Sequence, residues 1–196
     1  LGASNGPIIY NNTTLATGVW YHVALTKTIS GGTKTYTFFL NGQNDGGGVT
    51  STNTNYSSGI VAIGKMGSYP GFYFNGEISN LALWNSVLTS SQIASIYNNG
   101  TPSDISSLSP VSWWKLNAED VFVYPNWIIR DSAGTNNGAS VGMTSANLVQ
   151  STLQLGAGFS PYAFDLDGTS QYFNCGTQLG NALGSSVTNF TLSGWY

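Results

Sequence analysis

The chain contains two glutamates, Glu77 and Glu119. Glycoside hydrolysis of the common type needs two carboxyl groups, one acting as acid and the other as nucleophile or base, at a set separation across the scissile bond. Glu77 lies in a strand-like stretch and no second glutamate follows it there, so no catalytic residue is assigned and the chain is not expected to be an enzyme. Asp165 and Asp167 are two positions apart, which on a strand puts them on one side. Paired hard oxygens suit calcium. Alternatively, Asp167 caps the turn at Gly168 while Asp165 stays solvated, and this is the favoured reading. Asp131 opens a loop rich in Gly and Asn and is a further calcium candidate through its side chain and neighbouring carbonyls. No other cofactor is expected. His22, the sole histidine, has no Ser or Cys nucleophile constellation around it and reads as structural. Sugar recognition combines an aromatic platform with amide and hydroxyl donors, and two loops offer both. Tyr69, Phe72 and Tyr73 are the candidates in one, and Tyr124, Asn126 and Trp127 in the other. Aromatic residues tucked onto a rim would account for these loops equally well. The sequons at Asn11, Asn55 and Asn189 are expected by chance in a chain this rich in Asn, Ser and Thr, and matter only in a eukaryotic secretory host.

The elements that must position these groups are strands. Only 7% of the 196 residues are charged, far below the roughly 25% of ordinary soluble domains, which disfavours long surface helices. A 13% aromatic content argues against disorder. Alternation over Val19–Lys27 and Thr35–Leu40 predicts strands, and Asn41-Gly42 supplies a turn at the end of the second. Further strand signals lie at Ile60–Ile63, Gly76–Trp84, Val111–Leu116, Tyr162–Leu166, Gln171–Phe173 and Phe190–Tyr196. One helix is predicted over about 89–98, with Thr89 as its cap, Gln92 completing a capping box, and Leu88 stapled to Ile93. Thr101–Pro110 reads as a linker, and Asp131–Gly138 as a turn-rich loop. The five basic residues, Lys27, Lys34, Lys65, Lys115 and Arg130, are scattered, and the net charge is −3. No nucleic-acid surface is expected. No apolar run approaches a membrane span. Cys175 is alone and reads as a buried hydrophobe.

Several stretches resemble laminin-G-like domains of the concanavalin A-like lectin/glucanase superfamily. Gly18-Val19-Trp20-Tyr21-His22-Val23-Ala24 resembles one of that family's strands, and Phe39-Leu40-Asn41-Gly42-Gln43 its hairpin. Phe74 to Asn85 followed by Leu88–Tyr97 is similar to its closing strand and helix. Trp113–Leu116, Asp131–Gly138, Phe164–Gly168 with Tyr172, and Phe190–Trp195 are similar to the opening end of the same pattern. The resemblance implies an all-β, antiparallel jelly-roll β-sandwich with one short accessory helix. It also implies that Ser79 stands where a glucanase would place an aspartate, and Gln171 where the family places another.

The order of these stretches is inverted. Residues 1–100 look like the C-terminal half of such a sandwich, 101–112 like a linker, and 113–196 like the N-terminal half of the next one, or of the same one if the chain is circularly permuted. The array is preferred, because the linker is a natural one and the chain starts at Leu1 without Met or a signal peptide and stops at Tyr196 inside a strand, as a piece of a longer polypeptide would. The wording around Ser112–Asn117 and Gly142–Gln150 is most similar to segments of marine phage and algal virus surface proteins. The function expected is non-catalytic: a lectin-like module outside a cell or on a virion appendage, binding surface glycans. The alternative is a structural repeat whose partners are other copies of itself, and the least favoured is a glycoside hydrolase.

Overall fold

A computed structural model describes residues 10–50, 62–65, 71–153, 160–176 and 189–196. In chain order the strands are β1 (Tyr10–Asn11), β2 (His22–Ser30), β3 (Thr33–Leu40), β4 (Gln43–Thr50), β5 (Ala62–Ile63), β6 (Asn75–Trp84), β7 (Ser112–Trp114) and β8 (Val121–Val123). They continue as β9 (Asn126–Ile129), β10 (Gly138–Val141), β11 (Leu148–Gln150), β12 (Tyr162–Asp167), β13 (Tyr172–Asn174) and β14 (Phe190–Trp195). Helix α1 spans Ser90–Tyr97. Among the described residues the strands form two antiparallel sheets. The larger has nine strands in the order β1-β4-β3-β2-β14-β6-β12-β11, with β7 also on β6, and the smaller has five in the order β5-β13-β10-β9-β8. The expected all-β sandwich with one short helix is what the described residues form.

Period two explains the first hairpins. Along β2 the buried residues alternate from His22 to Thr26, and β2 turns into β3 through Gly31-Gly32, both at positive φ. Asn41-Gly42, at φ 48° and 77°, closes the next hairpin as a two-residue turn requires. A strand was not expected over Gln43–Thr50, since glycine and asparagine are poor strand formers. The hairpin imposes it, with Lys34 through Leu40 pairing back onto β4. Gly47 packs so closely that a Cβ there would lie 2.2 Å from the Tyr36 carbonyl oxygen. The Phe122–Trp127 stretch, read as a loop, is the β8–β9 hairpin, closed by Tyr124 and a cis Pro125. The helix begins as expected: Thr89 accepts from Gln92 N, Gln92 Oε1 accepts from Thr89 N, and Asn98 ends it at φ 44°.

Strands on the two sides of Thr101–Pro110 pair with one another. β14 inserts between β2 and β6, with Leu192 opposite both Leu25 and Leu83. β12 and β7 pair with successive halves of β6, and β5 pairs with β13. The segment read as a linker is itself packed: Ile105 is buried in the cluster under α1, and Trp84 Nε1 donates to the Leu108 carbonyl. The core between the sheets gathers Ile78, Leu81, Leu83, Phe164 and Leu166 from the large sheet with Trp127, Ile129 and Phe173 from the small one. A second cluster, Ala24, Ala82, Trp84, Trp113 and the helix residues Ile93 and Ile96, fills the other face of the large sheet. Asn80, at φ 50°, sits at the register shift between β6 and β14. The extra residue of this bulge lets Ile78 face the same core as Leu81 and Leu83 although their numbers differ in parity.

Candidate carbohydrate-binding site

The bulge also shapes a pocket. β14 follows β6 only as far as the Trp195–Ser79 pair, so among the described residues β6 runs on through Asn75–Ile78 with β12 alone beside it. The segment from Leu15 to Tyr21 crosses this open side. Tyr21 and Tyr196 exchange backbone hydrogen bonds of 2.8 and 3.0 Å, and the Tyr21 hydroxyl accepts from Ala16 N. Between segment and strand lies a cavity of about 420 Å3, walled by Trp20, Tyr21 and Phe74 and floored by Asn75, Glu77 and Asp165. Trp20 Nε1 donates to Thr152 Oγ1 at 3.2 Å, which fixes the indole against the far wall. Trp20 and Thr152 also line a neighbouring depression of about 380 Å3 with Asn41, Tyr97 and Trp195.

Glu77 and Asp165 are directly opposed across the β6–β12 ladder, an arrangement that is unfavourable for like charges. Asp165 is exposed, whereas Glu77 is half-buried and its Oε2 is shut off from solvent with no hydrogen-bond partner. Burial and the neighbouring Asp165 raise the Glu77 pKa, against a hydrogen bond from Ser151. Among the described residues the ionisable groups lining this cavity are these two carboxyls and the phenols of Tyr21 and Tyr196.

The residues picked from sequence fall elsewhere. Tyr69 lies outside the described residues. Phe72 is 61% exposed, and Tyr73 packs near Tyr172 with Lys65 Nζ above both rings. Tyr124 projects alone from its hairpin at 88% exposure. Asn126 lines a shallow depression on the small sheet that holds neither an aromatic nor an ionisable side chain. Trp127 is a core residue instead of a platform: it is buried, meets Phe164 edge-on, and donates from Nε1 to the Thr144 carbonyl.

Of the three calcium candidates, Asp131 and Asp167 hold backbone amides, while the Asp165 carboxylate is exposed at the pocket floor. Asp131 is buried, and its carboxylate accepts from the backbone amides of Trp113, Ala133, Gly134 and Asn136 at 2.8–3.1 Å. Asp167 caps its turn, accepting from the amides of Thr169, Ser170 and Gln171, and these bonds hold its carboxyl well below the usual range. Gln171 uses its side-chain oxygen to accept from Asp167 N and Asn147 Nδ2. Among the described residues no three His, Cys, Asp or Glu side chains come together as a metal site. His22 is fully buried, its Nε2 lies 2.7 Å from Ser193 Oγ, and burial lowers its pKa to about 4, so it is neutral and sealed from any substrate. Glu119 pairs with Lys115 at the surface. No helix among the described residues is long and apolar enough to cross a membrane.

Residues 2–94 match a family model described as the concanavalin A-like lectin/glucanases superfamily. Neither the search of curated proteins nor that of solved structures gave a match.

Proposed function

We propose that this chain is a non-catalytic, lectin-like module that binds glycans in the Trp20 pocket. The observation that carries the reading is the meeting of an aromatic wall with hydroxyl, amide and carboxylate groups in one cavity of sugar size. The match of residues 2–94 to a superfamily that includes lectins supports it. Hydrolysis is the least favoured reading: the second glutamate, Glu119, pairs with Lys115 at the surface and does not line the pocket with Glu77. The setting that goes with this reading is extracellular or the surface of a virion. We read the cross-pairing of the two halves as a permuted sandwich closed within one chain.

The test is a glycan array probed with the wild type and with Trp20→Ala. Retention of at least one glycan is expected, weakened tenfold or more by the substitution, while Tyr124→Ala leaves it unchanged. An array blank with and without calcium, or binding indifferent to Trp20, would overturn the assignment.

A second reading, self-association, rests on a separate observation. Val121, Val123, Ile128 and Val141 are 36–53% exposed, and Val121 and Ile128 are opposed on adjacent strands, so they form an apolar patch on the small sheet. Sedimentation at rising concentration would reveal oligomers under this reading, and Val123→Lys would dissolve them.

A further inference from the structure

The pocket's charge says more than that a sugar fits. Among the described residues its acidic side chains are Glu77 and Asp165, and no Lys, Arg or His lines it. An acidic sugar would therefore meet two negative charges and no positive one. A neutral sugar would leave the pair repelling across the ladder, where like charges in register are destabilising. A ligand ammonium placed against Asp165 would meet an exposed carboxylate oxygen directly. It would also neutralise the field of Glu77 behind it, whose Oε2 has no partner. Trp20, Tyr21 and Phe74 also line the cavity, and aromatic rings attract a cation.

We infer that the site selects glycans bearing a free, protonated amine, that is, amino sugars without the N-acetyl group. This rests on the Trp20 pocket being the glycan site. The raised Glu77 pKa has the same origin, because a carboxylate beside another carboxylate in a poorly hydrated place lacks the cation that would stabilise its charge. Acetylation of the ligand removes the charge and adds bulk, so the N-acetylated form of the same sugar should be disfavoured along with the hydroxyl form.

The experiment uses an array printed with matched sets of one oligosaccharide carrying at C2 a free amine, an acetamide or a hydroxyl. The amine form should be retained at least tenfold better than the other two at low salt, as charge-assisted hydrogen bonds predict, with the margin shrinking as ionic strength rises. In the double variant Glu77→Gln/Asp165→Asn the ratio of amine to hydroxyl affinity should fall to near one. Equal retention of all three forms by the wild type would overturn the inference while leaving the pocket a glycan site. A tenfold preference that persists in the double variant would overturn it by placing the amine elsewhere. Retention of none would overturn this inference and the glycan reading together.

Discussion

Replacing Asp131 by alanine tests whether its carboxylate organises the loop after β9 or is held ready for calcium. Four backbone amides end on this buried group, three of them on Oδ1. A hydrogen bond to a charged group contributes about 1.5–3 kcal/mol, and a buried donor left without its acceptor forfeits a comparable amount. Four such bonds would sum to more than 6 kcal/mol, but three share one oxygen and the loop can open to admit water. Halving the sum gives roughly 3–6 kcal/mol for Asp131→Ala. At about 2–4 °C per kcal/mol for a chain of this size, the midpoint of thermal unfolding should fall by roughly 6–24 °C. Asp131→Asn should fall between alanine and wild type. Its oxygen can still accept from Trp113, Ala133 and Gly134, but its amide would turn a donor toward Asn136 N. Gly134→Ala should be damaging for the same reason, since a Cβ there would lie 2.9 Å from both Asp131 Oδ2 and the Val111 carbonyl. Calorimetry or circular dichroism, with and without millimolar calcium, reads all of these. A loss below about 1 kcal/mol for the alanine variant, or a calcium-induced rise in midpoint that Asp131→Asn abolishes, would refute the argument.

Three other perturbations have outcomes that the structure decides. Glu77→Gln should stabilise the protein at pH 7 and lose that advantage below about pH 4.5. A carboxyl whose pKa is raised on folding imposes a cost that is absent below its unfolded value and grows as pH rises through the folded one. Midpoints measured at pH 3.5 and 7 check the sign, and an equal shift at both would count against it. Cys175, 2% exposed and with its thiol pushed up to about 12 by burial and by Asp131, should resist alkylation in the native state and react fully in denaturant. Cleavage between Ser106 and Ser107 should leave two pieces that hold together, since β14, β12 and β7 all pair with strands of the first piece. Pieces that separate and stay folded on gel filtration would contradict that pairing.

Much of the fold is legible where a local rule decides it. The alternation in β2 and β3, the Asn41-Gly42 turn and the Thr89–Gln92 box each act within a few residues, and each forms as expected. What escapes is set by partners. β4 is a strand because β3 supplies its hydrogen bonds, although its own residues argue for a loop. The β8–β9 hairpin looks like a sugar loop because of Tyr124 and Trp127, yet Trp127 is the residue that the core between the sheets recruits. Thr101–Pro110 has a linker's composition and nonetheless contributes Ile105 to a buried cluster.

The site was hidden for a different reason. Trp20, Glu77 and Asp165 each stood out singly: as part of a strand motif, as an isolated glutamate, and as half of a calcium candidate. Neither carboxylate's neighbour along the chain predicts the other. Their juxtaposition depends on the register of β6 against β12, which pairs Ile78 with Phe164 and thereby Glu77 with Asp165. That register is in turn dictated by the core, because sliding β12 by one residue would turn Phe164 and Leu166 out of the space between the sheets. The apolar faces therefore decide where the polar ones meet. A like-charge pair then sits where packing put it, at a cost in stability that the fold did not have to accept, since glutamine and asparagine would fit the same two positions. On the reading proposed above, a ligand cation at the acidic floor of the pocket would turn that cost into affinity, which the exposed aromatic loops have no comparable means to do.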